Sequence, residues 1–218
     1  MEASKIITLT PQNNKAENIV IIAWGSWSGK TLAKDYLIKT VNLSPIQTFT
    51  TRPSRPWETE YIFLSVAEFQ KLERLGLFLE TTKIWKNYYW LAKPNNKNNI
   101  TAVNVEWIIK IFDIYRNTKT QIILIFLQND REDIADLMNR RWTFGNYAAQ
   151  RDRLEHDLGD IYLLTDSNFL RPNIVLPTGD LRFAQNSLEF ELKLQERLKT
   201  SLLPKLAILL WLNSQILV

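Results

Sequence analysis

The chain has 218 residues, 27 Lys and Arg against 23 Asp and Glu, a net charge of +4, one histidine (His156) and no cysteine. That length fits one domain with room for small inserted subdomains, and the missing cysteines exclude disulfides, zinc–thiolate sites and a thiol nucleophile. The basic residues are scattered rather than bunched, which argues against nucleic acid as the main partner and suits a small anionic ligand.

The first 17 residues read as an N-terminal extension. They hold no basic segment followed by an apolar core, so no secretory signal and a cytoplasmic location are expected. The run NIVIIA (18–23) is apolar and β-branched, the pattern of a buried strand, and TLAKDYLIKTV (31–41) has helical spacing. PIQTF (45–49) predicts a second strand, followed by the turn-rich TTRPSRPWE. Ser65 and Glu68 form a capping-box pattern that opens a helix ending at Gly76. Short strands are expected at 78–83, 88–92 and 100–105, with a loop over 93–99 and a helix running on to Arg116.

QIILIFL (121–127) is the clearest buried strand. Two charged helical segments (131–141 and 147–158) and a strand at 161–165 follow, then an irregular stretch to Gly179 and a long amphipathic helix from Asp180. The tail LLPKLAILLWLNSQILV is apolar but interrupted by Pro204 and Lys205. It is too short to span a bilayer and reads as a helix packed on the domain. Strands that are continuous apolar runs, alternating with helices, predict an α/β fold with a parallel sheet covered by helices on both faces.

Between the first strand and first helix stands AWGSWSGKT, residues 23–31. A strand-to-helix turn ending in Gly29-Lys30-Thr31 is the setting of a phosphate-binding loop. There, backbone N–H groups and the helix N-terminus converge on phosphate oxygens, Lys reaches the terminal phosphates and Thr holds Mg²⁺. Glycine is needed where the backbone takes positive φ or a side chain would fill the phosphate's space, yet Trp24 occupies the first glycine position of the pattern.

Four further segments carry a family resemblance. TTRPSRPWE resembles the T-T-R-x-x-R-x-G-E segment of guanylate kinases, and FLETTKIWKNYYW resembles their F-L-E followed by G-N-Y-Y-G. AVNVEW resembles D-I-D-x-Q-G, and MNRRWT resembles the R-G-T that opens the lid. With the phosphate loop, five segments recur in family order across roughly residues 18–195. The resemblance implies a P-loop NTPase-type parallel core (18–47, 99–127 and 154–198), a small GMP-binding insertion (48–92) and a helical lid (128–153), with an apolar tail over 199–218.

It further implies ATP-dependent phosphorylation of GMP with Mg²⁺. Trp24, Gly25, Ser26, Trp27, Ser28, Gly29, Lys30 and Thr31 would bind the ATP phosphates, with Thr31 on the metal. Arg52 and Arg55 would grip the phosphate of GMP, helped by Tyr61 and Tyr89, and bidentate guanidinium geometry suits that anion. Glu80 would read N1–H and the exocyclic amine of guanine, with Thr48 and Asn104 completing the pocket. Lys30, Arg141, Arg151 and Arg153 would neutralise charge on the transferring phosphoryl group. ATP and GMP are thus the expected partners, with no membrane, and with monomer and homo-oligomer equally open.

Asn104 and Ala102 replace the two aspartates of D-I-D, Leu91 replaces a Ser or Thr, and Leu137 stands where a lid arginine is expected. Six of the eight tryptophans (Trp24, Trp27, Trp57, Trp90, Trp107 and Trp142) occupy glycine positions of the family pattern. Six glycines in 218 residues is less than half the usual level of about 7%. One hypothesis covers the tryptophan positions and the glycine deficit together, though not the other departures: UGA codons that encode glycine in the source, read here as tryptophan. Two alternatives stand beside the kinase: with the indoles literal, an inert domain of the same fold that binds without catalysis, and, because Asn104 and Leu91 alter the acceptor pocket, a related kinase with another acceptor.

Overall fold

A computed structural model describes residues 16–23, 29–54, 61–84, 86–128, 170–178 and 187–216. The first strand, β1 (Asn18–Ala23), is buried along its whole length, as its unbroken apolar run requires. Helix α1 (Lys30–Val41) follows it, and β2 (Ser44–Pro45), β3 (Thr48–Thr50) and β4 (Tyr61–Phe63) come next. Helix α2 (Val66–Arg74) carries the expected capping box. Ser65 Oγ accepts from the Glu68 N–H at 3.2 Å, and Glu68 Oε2 accepts from the Ser65 N–H at 2.8 Å. Beyond α2, Gly76 takes the left-handed conformation (φ 63°) that ends the segment.

Strands β5 (Phe78–Ile84), β6 (Asn87–Ala92) and β7 (Asn98–Ala102) lead to helix α3 (Val105–Tyr115) and the buried strand β8 (Gln121–Gln128). The described chain closes with β9 (Ile174–Pro177), helix α4 (Ser187–Arg197) and helix α5 (Leu203–Ile216). A π-helical turn, Leu198–Leu202, joins the last two. It comes just before Pro204, whose ring removes an N–H from the helical ladder.

The strands form two sheets. In the core sheet the order is β2-β7-β1-β8-β9, every pairing parallel. Ile19, Ile21, Ile100, Ile123 and Leu124 are fully buried in it. The second sheet has the order β4-β3-β6-β5 and is mixed, β3 running parallel to β4 and antiparallel to β6.

Three sequence expectations are corrected. The single strand expected over 45–49 is two strands in two sheets: Ser44–Pro45 on the edge of the core and Thr48–Thr50 inside the second sheet. Proline is tolerated in β2 because it is an edge strand. The strand expected over 100–105 occupies Asn98–Ala102 instead, since Asn104 caps α3 and ends the extended run. The stretch read as irregular before Gly179 contains β9, whose alternation of buried Ile174 and Leu176 with outward Val175 and Pro177 is too short to stand out. The lid segment 129–169, with the helices and strand expected there, lies outside the described residues, as does 24–28. Among the described residues no helix is long and apolar enough to cross a membrane.

Candidate active site

The register of the second sheet sorts its side chains onto two faces, because residues paired across strands share a face and neighbours along a strand alternate. Thr48 lies opposite Tyr61 and Leu91, Thr50 opposite Phe63 and Tyr89, and Tyr89 and Leu91 opposite Thr82 and Glu80. Thr48, Tyr61, Glu80 and Tyr89 therefore share one face. These are four of the residues that the resemblance assigns to GMP.

The opposite face carries Phe49, Tyr88 and Trp90, packed on α2. Trp90 is fully buried, stacked on Phe49 with ring centroids 5.7 Å apart, and 4.3 Å from Phe69 and 5.0 Å from Phe78. Tyr88 stacks on Phe69 at 4.8 Å. This aromatic layer holds the sheet rigid, so that the polar face is presented on a fixed platform. Tyr88 belongs to the layer and Tyr89 to the site, a distinction set by the period of two along β6.

Arg52 follows β3 at the open end of the polar face. Its guanidinium carbon lies 5.5 Å from the Tyr61 ring centre and 5.7 Å from that of Phe63, and Nη1 donates to the Pro53 carbonyl at 2.9 Å. Tyr61 meets Tyr89 edge-on at 6.5 Å. Arg52, Tyr61 and Tyr89 thus form one cluster: a cation and two phenols, the donor set an oxyanion needs.

Helix α3 packs on the same face at its other end. Trp107 is buried and donates from Nε1 to Thr82 Oγ1 at 2.8 Å. Lys110 Nζ meets Glu80 Oε1 at 2.5 Å and Glu106 Oε1 at 3.2 Å. Desolvation pulls the Lys110 ammonium toward neutrality, but hydrogen bonds and charge from Glu80 and Glu106 outweigh it and hold its pKa above the ordinary lysine value. Asn104, expected at the GMP pocket, caps α3: its Oδ1 accepts from the Trp107 N–H at 3.3 Å. Leu91, fully buried opposite Glu80 and Thr48, makes this part of the face apolar.

At the end of β1, Gly29 precedes the first turn of α1 in the left-handed conformation (φ 85°). A Cβ there would lie 2.8 Å from Leu194 Cδ2 and 3.3 Å from Phe190 Cε1, so both backbone and packing demand glycine. Lys30 and Thr31 open the helix, and no acidic residue in its first turn offsets the positive end of the dipole. Among the described residues no group of three His, Asp or Glu could hold a metal ion, whereas the Thr31 hydroxyl is a hard oxygen donor of the kind Mg²⁺ accepts beside phosphate oxygens. Trp24 to Ser28, Arg55, Arg141, Arg151 and Arg153 lie outside the described residues, as do Trp57, Trp85 and Trp142.

Sequence reasoning missed Lys110 and Thr82. Glu106 and Lys110 form an (i, i+4) pair visible in the sequence, but Glu80 is 30 positions away and only the packing of α3 on β5 joins them.

No protein-family model matches the chain. It is 25% identical over 169 residues to the guanylate kinase of Wolbachia sp. subsp. Brugia malayi (strain TRS), covering 68% of this chain and 84% of that one. It is 30% identical over 118 residues to the guanylate kinase of Blochmanniella floridana, a match spanning 49% of this chain and about half (55%) of that relative. The crystal structure of guanylate kinase from Anaplasma phagocytophilum superposes with a TM-score of 0.51 over 88% of each chain, at 15% identity. The chain is thus similar to guanylate kinases in sequence over about two thirds of its length, and in fold. Its α/β architecture, with a parallel sheet flanked by helices, is that of the P-loop NTPases. The mixed sheet is inserted in the chain between β2 and β7 of the core.

Proposed function

We propose that the chain transfers the terminal phosphoryl group of ATP to GMP. One observation carries this reading: the sheet register puts Thr48, Tyr61, Glu80 and Tyr89 on a single face, with Arg52 against Tyr61 at one end and α3 of the core at the other. A carboxylate at one end suits guanine, whose N1–H and exocyclic amine are paired donors that adenine lacks. The cation and phenols at the other end suit its phosphate.

An oxygen of the GMP phosphate attacks the γ-phosphorus of ATP, the bond from that phosphorus to the bridging oxygen breaks, and ADP and GDP leave. Lys30, at the start of α1, neutralises charge on the phosphates, as do Arg141, Arg151 and Arg153 in the lid. Thr31 would hold Mg²⁺ through its hydroxyl oxygen, and the ion would supply further charge neutralisation at the β- and γ-phosphates. Catalysis is by positioning and electrostatics, with no covalent enzyme intermediate.

The six tryptophans at glycine positions bear directly on this reaction, and we propose that they are glycine in the native protein. Trp90 supports this, because its indole N–H is buried with no hydrogen-bond partner, a cost of about 1–3 kcal/mol that glycine does not incur. Trp107 does find a partner, in Thr82. Steady-state phosphorylation of GMP, AMP and UMP should be compared for the literal chain and for one carrying glycine at 24, 27, 57, 90, 107 and 142. The glycine chain is expected to phosphorylate GMP preferentially and to exceed the literal chain. Preference for AMP or UMP, or no transfer by either chain, would overturn the function. Tryptophan at 24 and 27 in a mass spectrum of the native peptide 16–34 would sink the recoding.

A further inference from the structure

Glu80 is the one member of the polar face whose backbone lies in an irregular part of the sheet. Pairing between β5 and β6 shifts register between Phe78 and Glu80, so the ladder sets the face of Glu80 but gives its side chain no regularly paired neighbour on one side. Lys110 supplies a constraint from outside the mixed sheet. Its Nζ is 2.5 Å from Glu80 Oε1, 3.2 Å from Glu106 Oε1 and 3.5 Å from Thr82 Oγ1. The glutamate side chain is mostly buried (18% exposed), so its orientation is set by these protein groups more than by water.

We propose that Lys110 is a positioning residue for guanine recognition, acting through Glu80. This rests on the reading of Glu80 as the carboxylate that meets the base. A carboxylate offers about four lone-pair sites, of which the ammonium takes one on Oε1. Oε2 and the remaining lone pair of Oε1 are left to accept the two guanine donors, from a carboxylate that no longer rotates. Lys110 also stands between two anions. Glu80 and Glu106 both touch its Nζ, which places their carboxylates within about 6 Å of each other, where unscreened like charges repel. Without the ammonium, Glu80 turns away from Glu106 and loses the geometry that two parallel hydrogen bonds require.

The test uses the full chain with Lys110→Met, which keeps the length of the stem and removes the charge, and Lys110→Arg, which restores it. Lys110→Met is expected to raise KM for GMP about tenfold, the loss of roughly one well-placed hydrogen bond, with kcat within about twofold and KM for ATP unchanged. Its preference for GMP over IMP, which lacks the exocyclic amine, should fall. Lys110→Arg should recover most of the GMP affinity. An unchanged KM for GMP in Lys110→Met would overturn the proposal. A lowered KM would do the same, by showing that Lys110 competes with the base. Equal losses for ATP and GMP would reduce Lys110 to a general packing role, and so overturn it too. If the unsubstituted chain transfers nothing to GMP, the function fails separately, and calorimetric titration of GMP into both chains reads the positioning directly. Equal affinities, or no binding by either, would then overturn it.

Discussion

Replacing Gly29 by alanine perturbs the entry to α1 in two separable ways. At φ 85° an L-residue pays a left-handed backbone cost of about 1–2 kcal/mol. The new Cβ would also sit 2.8 Å from Leu194 Cδ2, a buried methyl that must retreat, adding about 1–2 kcal/mol of overpacking. A loss of roughly 2–4 kcal/mol is therefore expected in urea unfolding. The two parts are separated by a double-mutant cycle with Leu194→Ala, which itself costs about 2–5 kcal/mol through the cavity it leaves. In that background Gly29→Ala should cost only its backbone part, so the double variant is more stable than additivity predicts by about 1–2 kcal/mol. Strict additivity would show that α4 does not press on the turn. A Gly29→Ala variant within about 0.5 kcal/mol of the parent would refute both parts of the reasoning.

The remaining expectations concern the platform, the seam and pH. Trp90→Phe should change stability by less than about 1.5 kcal/mol, since lost packing is offset by removing a buried, unpartnered indole N–H; a loss beyond about 3 kcal/mol in thermal unfolding would mean that the N–H is satisfied. Trp107→Phe leaves Thr82 without its indole donor and should cost about 1–2 kcal/mol by urea unfolding. Ser65→Ala should cost about 1 kcal/mol and return the Glu68 carboxyl toward its ordinary pKa, which the backbone and then the side chain of Ser65 hold down. The stability from that lowered pKa is present above the ordinary carboxyl range and lost as pH falls through the folded value, so the variant's unfolding midpoint should respond less to acid. At the alkaline end, burial pushes the Tyr115 phenol up to about 12, and Lys110 is raised as well. Both keep protons that the unfolded chain releases first, so stability should fall as pH rises past about 10, and Tyr115→Phe should flatten part of that fall.

Sequence patterns proved most legible where one local cause sufficed. The apolar run of β1, the Ser65–Glu68 box and the Gly76 end of α2 each depend on residues a few positions apart. The sheet assignment of 45–49 was not legible, because the switch from one sheet to the other at Ile46 and Gln47 depends on which distant strand each half meets. β9 was hidden for a related reason: four residues, the last a proline, become a strand only because β8 offers a parallel edge. At the site, the family pattern pointed to Thr48, Tyr61, Glu80 and Tyr89, and register places them on one face. Asn104 was read as a pocket residue, and its capping of α3 is local chemistry that a short polar side chain before an apolar helix could have revealed. The Lys110–Glu80 contact had no local signature.

The two crossings between the sheets lie side by side. The chain leaves the core after Pro45 and returns at Asn98, and the Ala92 N–H donates to the Gln47 carbonyl at 2.9 Å, just where departing and returning segments pass. The segment between those points is an excursion whose ends already touch, and α3 of the core packs against its β5. Such a module can be lengthened, exchanged or removed with a short turn in its place, while the five parallel strands keep their order and partners. The polar face of the mixed sheet is thereby carried on a part of the chain that can change without rewriting the parallel core.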